Sequence, residues 1–176
     1  MKKFIIYLVL VLLGLQFVHG QSTFIRMCGG DSYTWNLDIP PTSQVVIRAI
    51  KPGSITYDTI YSNQIALSPQ DYTIYDIISI DGSLYTCNET LEIEVIKLFP
   101  NITINGQNLS ITVSSNLDYS AALYIHVTDY DNALIYRYYS QTGDNINIDN
   151  IPSGNYKIYI TTEDTGCQIT DTIAIP

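Results

Sequence analysis

Alternation of apolar and polar residues with a period of two runs through most of this 176-residue chain. The clearest case is the segment 90–96, where Leu91, Ile93 and Val95 alternate with two glutamates. Successive side chains of an extended strand point to opposite faces, so this pattern predicts strands that bury one face. Turn signals recur at roughly the 8–12-residue spacing expected of a β-sandwich, which predicts about fourteen short strands.

Composition supports the same fold class. Ile, Tyr, Thr, Asn and Ser dominate, and the branched or aromatic side chains among them pack well on a pleated surface. No helix of ten residues is predicted after residue 20. The turns are predicted at Pro52-Gly53, Asp81-Gly82 and Asn105-Gly106, and Phe99-Pro100-Asn101 is predicted to break the chain. The clearest strands are predicted at 45–50, 55–60, 72–80, 90–96, 109–113, 123–127, 133–139, 156–160 and 167–175.

Residues 1–20 differ from the rest. Two lysines precede an unbroken apolar run from Phe4 to Leu13, and Val18-His19-Gly20 stands before Gln21. A basic start, an apolar run too short to span a bilayer and a short cleavage segment are typical of a secretory signal peptide. We therefore expect a secreted protein, extracellular or at the cell surface, with a mature length of 156 residues (176 − 20).

Charge excludes one class of protein, and the lengths of the apolar stretches exclude another. Removal of Lys2 and Lys3 with the signal leaves 6 basic residues (8 − 2) against 17 acidic ones, a net charge of −11. A chain this acidic with no basic patch is not expected to bind nucleic acid. No second apolar stretch is long enough to predict a membrane span.

The two halves share one order of features: Tyr-x-Ile, a turn, a cysteine, an alternating strand and a proline. The tyrosine, cysteine and proline are Tyr72, Cys87 and Pro100 in the first half, and Tyr156, Cys167 and Pro176 in the second. This repeat of about 75–80 residues predicts two small sandwiches rather than one large one. We expect domains at 21–100 and 101–176.

The closing pattern resembles the immunoglobulin-like and PKD-like repeats of secreted Bacteroidetes surface proteins, including gliding adhesins. Pro152 to Ile158, Asp164 to Cys167 and Thr170 to Ile173 carry the resemblance, and Cys28 to Ser32 is similar to the opening of such a repeat. Gln21 after the signal is also similar to secreted proteins of that phylum. The resemblance implies two tandem immunoglobulin-like antiparallel β-sandwiches outside the cell, and it implies no reaction.

The second half also resembles the C-terminal sorting domain of type IX secretion cargo. The residues that carry this second resemblance are Leu123 to Asp129 and Gly154 to Ile158. It departs from that pattern at its end, where Ile173 to Pro176 replaces a basic tail, and at Cys167. This resemblance implies a sorting or anchoring module as an alternative function.

Three cysteines remain in the mature chain: Cys28, Cys87 and Cys167. In an oxidising compartment one pair is expected to form and one thiol to remain. We predict the pair Cys28–Cys87, which closes a loop of about 60 residues and stabilises by roughly 3–4 kcal/mol in the chain-entropy model. The alternatives are the pair Cys87–Cys167, or three buried thiols.

Catalysis is not expected. His126 is the only mature histidine, and strand alternation places it on the outer face between Tyr124 and Thr128. The chain has no Gly-x-Ser-x-Gly motif, no phosphate-binding glycine loop and no Cys-x-x-Cys motif. A small hydrolase is the disfavoured alternative to a non-enzymatic binding or structural module.

Two groups of residues are candidates for binding. Asp129, Asp131 and Asn132 crowd one turn, which makes them candidate calcium ligands, although turn chemistry alone explains such residues. An exposed face is expected to carry Tyr124, Tyr159 and one of the pair Tyr136 and Tyr138. Of that pair, we predict Tyr136 as the binding residue. That face is predicted to contact an extracellular protein or glycan, and the free sheet edges are predicted sites of self-association.

Overall fold

The computed structural model describes residues 22–85 and 89–176. The predicted signal peptide and Cys87 therefore lie outside the described residues. Within them the regular structure is β-strand, with no helix that is long and apolar enough to cross a membrane. The strands are β1 (Ser22–Cys28), β2 (Tyr33–Asn36), β3 (Gln44–Lys51), β4 (Ser54–Tyr61), β5 (Gln64–Leu67), β6 (Thr73–Ile80), β7 (Ser83–Leu84), β8 (Thr90–Ile96), β9 (Leu98–Asn105), β10 (Asn108–Ser115), β11 (Ala122–Asp129), β12 (Leu134–Gln141), β13 (Asn145–Ile148), β14 (Gly154–Thr162) and β15 (Gln168–Ile175).

The chain divides into two compact units. Unit 1 consists of 22–25, Thr34–Ala66 and the described part of Thr73–Glu92. Unit 2 consists of Arg26–Tyr33, Leu67–Tyr72 and Ile93–Pro176. The domain boundary that we expect near residue 100 thus falls inside β9, within unit 2.

The predicted break at Phe99-Pro100-Asn101 is wrong, because β9 runs through these residues. Pro100 pairs with Val113 of β10 in an antiparallel ladder. β9 is the outermost strand of its sheet, in the order β13-β10-β9. Proline has no N–H to donate, and strands tolerate it at an edge, where one side of the backbone has no neighbour to bond.

In unit 1, β3 and β6 follow the predicted alternation, whereas β4 is exposed almost throughout. One sheet has the order β1-β8-β6-β3-β4, with β7 paired to β6, and β2 and β5 form a second sheet. β3 buries Val45, Ile47 and Ala49, while β6 buries alternate residues starting at Thr73. The alternate residues of both strands are more exposed, so one face of this sheet faces a core.

The predicted turn at Asp81-Gly82 is confirmed. Asp81 has φ +50° and Gly82 has φ +77°, and β6 pairs with β7 on either side of them. Positive φ at both central residues is the geometry of a two-residue hairpin turn that matches the twist of the strands. Asp81 also accepts a hydrogen bond from the Gln44 amide at 2.7 Å, which fixes this turn beside the start of β3.

Unit 2 contains a sandwich of seven antiparallel strands. One sheet has the order β13-β10-β9, and the other has the order β12-β11-β14-β15. Each fully buried aliphatic side chain between them stabilises by about 1.5–3 kcal/mol relative to an exposed one. The buried side chains that share this core are Leu109, Ile111, Val113, Leu123, Ile125, Val127, Ile148, Ile151, Tyr156, Ile158, Ile160 and Ile175.

This arrangement is immunoglobulin-like. Seven short strands lie in two antiparallel sheets, and one further feature is typical of the fold. Tyr156 is buried near the start of β14, and its hydroxyl donates a hydrogen bond to the Pro152 carbonyl at 2.8 Å. A tyrosine in this position, bonded to backbone a few residues upstream, is the tyrosine corner of immunoglobulin-like sandwiches. The protein is therefore all-β, with an immunoglobulin-like β-sandwich as its fold class.

Candidate functional site

The outer surface of the four-stranded sheet in unit 2 carries an unusual set of side chains. β11 sends Leu123, Ile125 and Val127 into the core, so Tyr124 and His126 face outward. The strand registers extend this face to the neighbouring strands, because paired residues lie on the same side of a sheet. We call this surface the tyrosine face, and its residues are Tyr124, His126, Arg137, Tyr139, Lys157 and Tyr159.

The structure places two of the three candidate binding tyrosines on this face and one elsewhere. Tyr124 and Tyr159 lie on it as predicted. Tyr136 pairs with Val127, faces the core side and packs against the core, so its predicted position is wrong. The β12 tyrosine on the tyrosine face is Tyr139 rather than Tyr136, since Tyr139 pairs directly with Tyr124 and is 59% exposed.

Tyr124 and Tyr139 form a fixed pair. Their ring centroids are 5.2 Å apart, with the rings tilted by 58°. The Tyr124 hydroxyl donates to Oε1 of Glu163 at 3.0 Å, and the Tyr139 hydroxyl donates to Oε2 of the same carboxylate at 2.7 Å. Each ring is thus held at its backbone and at its hydroxyl, while Tyr124 remains 37% exposed.

Glu163 also changes the acid–base behaviour of both phenols. The Glu163 carboxylate accepts a hydrogen bond from each hydroxyl, and its negative charge opposes the ionisation of either phenol. The hydrogen bond to Glu163 is the main cause that raises the pKa of Tyr124 and of Tyr139 above the ordinary tyrosine value. Both hydroxyls therefore remain donors to the carboxylate at neutral pH.

The other end of the face is organised by Lys157. Its ammonium donates to Oδ1 of Asn132 at 3.0 Å and to the Tyr130 carbonyl at 3.4 Å. The same ammonium lies 5.1 Å from the centre of the Tyr130 ring, which is within the range of a cation–π contact. The Tyr159 hydroxyl donates to Asn132 Oδ1 at 3.3 Å.

Side-chain oxygens of two of the three candidate calcium ligands, Asp129 and Asn132, already accept hydrogen bonds. Asp129 Oδ1 accepts hydrogen bonds from the amides of Asp131 at 3.0 Å and Ala133 at 2.8 Å. Asn132 Oδ1 is bonded by Lys157, so an ammonium lies where a cation would be expected to bind. Within residues 22–85 and 89–176, no group of three or more His, Cys, Asp or Glu side chains is placed to hold a metal ion. The contacts of this turn are those of Asx turn chemistry.

The strand neighbours of His126 are not those of a catalytic histidine. Its register neighbours are Arg137 on β12 and Tyr159 on β14. A catalytic histidine is oriented by a third group and lies within hydrogen-bond reach of a nucleophile. In the described part of the chain, neither of the two residues beside His126 supplies a carboxylate.

The disulfide differs from the predicted one. Cys28, at the end of β1, is bonded to Cys167, directly before β15, with their Cα atoms 5.2 Å apart. Because Cys28 can form only one disulfide, this pairing replaces the predicted Cys28–Cys87 bond. Both sulfurs belong to unit 2, since β1 passes out of unit 1 after Ile25. The bond closes a loop of 139 residues, worth about 5 kcal/mol in the chain-entropy model.

A shallow groove lies beside this disulfide. Its volume is about 280 Å³, and its lining is mostly apolar. Lys97 is the charged residue in the lining, and its ammonium is 2.6 Å from Oδ1 of Asp71. The groove therefore offers apolar contact but no cluster of free polar groups. Its lining residues are Cys28, Gly29, Ile96, Lys97, Leu98, Phe99, Cys167, Gln168 and Ile169.

Comparisons with known proteins identify no family for this chain. No family model matches the chain, and no curated relative matches it. A solved structure of the calcium binding domain CBD12 of CALX1.1 is 6% identical, with a TM-score of 0.30 over 78% of this chain and 75% of that one. Immunoglobulin domains 1–4 of Sidekick-1 are 12% identical, with a TM-score of 0.28 over 86% of this chain and 48% of that one. The fold class of this protein rests on its own sheet order, registers and tyrosine corner.

Proposed function

We propose that this protein is a secreted, non-enzymatic binding module that contacts an extracellular protein or glycan through the tyrosine face. The observation that carries the proposal is the Tyr124–Tyr139 pair, exposed on the outer face of a sheet and fixed by Glu163. Tyrosine supplies a large amphipathic contact area with only two side-chain torsions to order. Rings that are already fixed lose less conformational entropy on binding, which favours affinity.

Two observations favour an extracellular role. The predicted signal peptide directs the chain out of the cell, and the Cys28–Cys167 bond is of a kind that persists in oxidising compartments. A cell-surface or adhesin-type role follows from the sequence resemblance to surface-protein repeats. The sorting or anchoring module stays a prediction from the second resemblance.

The proposed module works without a cofactor. Calcium binding by Asp129, Asp131 and Asn132 stays a prediction that the Lys157–Asn132 bond disfavours. Thermal unfolding measured with calcium and with a chelator tests this point. We expect the same melting temperature in both, and a higher melting temperature with calcium would assign a metal site to this turn.

Binding to native extracellular material tests the proposed function. The test variant is Tyr124→Ala with Tyr139→Ala, and the matched control is Tyr57→Ala with Tyr61→Ala. The control removes two tyrosines on β4 that are 64% and 70% exposed, more than the test pair. We expect the test variant to lose retention on cells or matrix while the control is retained like the wild type. Equal retention of all three proteins would contradict the proposal, provided that circular dichroism shows each of them folded.

A further inference from the structure

The basic residues of this acidic protein are not distributed evenly. Six remain outside the predicted signal (8 − 2), against 17 acidic residues. Three of them lie in ion pairs. Arg26 Nε is 2.8 Å from Glu94, Lys97 Nζ is 2.6 Å from Asp71, and Arg48 pairs with Asp76.

The tyrosine face holds basic groups of a different kind. Arg137 is exposed on β12, directly beside His126 in the strand register. Lys157 contacts the neutral oxygens of Asn132 and Tyr130. Among the described residues, Arg137, Lys157 and Lys51 of β3 have no carboxylate within ion-pair distance, and two of these three cations lie on the tyrosine face. An unpaired positive charge on the surface of an acidic protein is complementary to an acidic partner.

The carboxylate beside the tyrosine pair is already engaged. Glu163 accepts two phenol hydrogen bonds, one to each carboxylate oxygen, so it holds the tyrosine pair rather than Arg137. The face therefore presents two features to a partner, a fixed pair of aromatic rings and a separate set of basic groups. A ligand that uses both features has rings to stack and anionic groups to pair.

We propose that the partner at the tyrosine face is an acidic polysaccharide, a chain of sugar rings that bear carboxylate or sulfate groups. The proposal rests on the proposed function and names the chemistry of its ligand. The apolar faces of the sugar rings pack against Tyr124 and Tyr139, and the acidic groups pair with Arg137 and Lys157. An acidic peptide can pair its carboxylates with Arg137 and Lys157, but it has no sugar rings to pack against Tyr124 and Tyr139. It therefore contacts only one of the two features of the face.

Binding to immobilised polymers tests this proposal with the full secreted chain. Polygalacturonate supplies rings with carboxylates, and chondroitin sulfate supplies rings with sulfates in addition. Methyl-esterified polygalacturonate keeps the same rings without charge, and poly-L-glutamate keeps the charge without rings. We expect binding to at least one of the two acidic polysaccharides, and weaker binding to both comparison polymers. Which acidic polysaccharide binds more tightly distinguishes carboxylate from sulfate recognition.

Charge variants test whether this face is the one used. Arg137→Gln with Lys157→Gln removes both cations, and we expect about a tenfold loss of affinity, as for two modest charge contacts. Lys51→Gln with Lys97→Gln changes the net charge by the same amount at other positions and is expected to bind like the wild type. Equal losses in both variants would show a general effect of net charge and would overturn the proposal.

The remaining outcomes separate this proposal from the proposed function. Equal binding to the methyl ester would show that charge is not recognised, and stronger binding to poly-L-glutamate would identify an acidic protein as the partner. Either result, or no binding to any polymer, overturns the acidic polysaccharide. The proposed function is judged separately, by retention of the tyrosine variants on native material.

Discussion

Tyr124 and Tyr139 lie side by side across the β11–β12 pair, with ring centroids 5.2 Å apart and both hydroxyls bonded to the carboxylate of Glu163. This contact joins residues from three places in the chain, since Glu163 follows the end of β14. The two rings are exposed although the hydroxyls are engaged. A binding surface of this kind is ordered before its partner arrives.

The titration of the two phenols reports on this contact. Glu163 raises the pKa of both, mainly through the hydrogen bonds, so the neutral phenols are favoured in the folded state. Their contribution to stability is present below the ordinary tyrosine pKa of about 10 and is lost as the pH rises through the raised values. We expect Glu163→Gln to lower the pKa of two tyrosines toward the ordinary value, measured by the ultraviolet absorbance of tyrosinate. Asp171→Asn, on β15, is the control, and an equal shift in that variant would show that the Glu163 bonds are not the cause.

The disulfide is tested by a tryptic map without reduction. Cleavage after Arg26, Arg48, Lys97 and Lys157 places each mature cysteine on a different peptide. We expect the peptide 27–48 to be linked to the peptide 158–176, because Cys28 is bonded to Cys167. A link between 27–48 and 49–97 would restore the Cys28–Cys87 pair. Cys87→Ser is expected to leave the map and the melting temperature unchanged, whereas Cys167→Ser is expected to lower the melting temperature.

The tyrosine corner predicts a difference between two conservative changes on one strand. Tyr156→Phe removes the hydroxyl that donates to the Pro152 carbonyl, in a buried side chain. We expect a loss of about 1 kcal/mol in the free energy of unfolding, measured by urea denaturation. Tyr159→Phe removes a hydroxyl from the solvent side of β14 and is expected to cost less than half of that. A larger loss for Tyr159→Phe than for Tyr156→Phe would show that the corner bond does not stabilise the unit.

A single substitution in the edge strand β4 of unit 1 is expected to cause self-association. β4 is the last strand of its sheet, and Asp58 pairs with the buried Ile47, which places a charge on the core side of that edge. Charged residues pointing inward on an edge strand oppose pairing with another molecule. We expect Asp58→Val to form dimers or larger species in analytical ultracentrifugation, while Thr59→Val, on the opposite side of β4, remains monomeric like the wild type. A monomeric Asp58→Val protein would show that the charge does not protect this edge.

The strands could be predicted from alternation wherever one face is buried. β3, β6, β8, β10, β11 and β14 each bury every second residue, which is the signal that the sequence shows. β1, β2 and β5 were missed, because two of them have only four residues and β1 is mostly exposed. The pattern is weakest where burial is least.

The error at Tyr136 has a physical origin in its strand. β12 is an edge strand with tyrosines on both sides, at 136, 138 and 139, so side-chain type does not show which side faces the core. The ladder next to the turn pairs Thr128 with Leu134, and this register continued along β11 would place Tyr138 opposite Tyr124. A β-bulge between Val127 and Thr128 shifts the register by one residue, so Tyr139 and Arg137 lie on the tyrosine face instead.

The predicted correspondence between Tyr72 and Tyr156 is not matched by their burial. Tyr156 is buried in the core of unit 2, whereas Tyr72 is 38% exposed. Thr73 and Tyr75, which follow Tyr72 in the chain, are buried residues of β6. Because successive residues of a strand face opposite sides, identical residue types in the two halves do not establish equivalent positions.

Residue-resolved tyrosine labelling tests the binding role of the tyrosine face most directly, with the wild-type protein free and bound to its native extracellular material. Tyr139 and Tyr61 are 59% and 70% exposed, so both are expected to be labelled in the free protein. We predict that binding protects Tyr124 and Tyr139 and leaves Tyr57 and Tyr61 labelled as before. Protection of Tyr57 and Tyr61, with Tyr124 and Tyr139 labelled as in the free protein, would contradict the proposed function of this face.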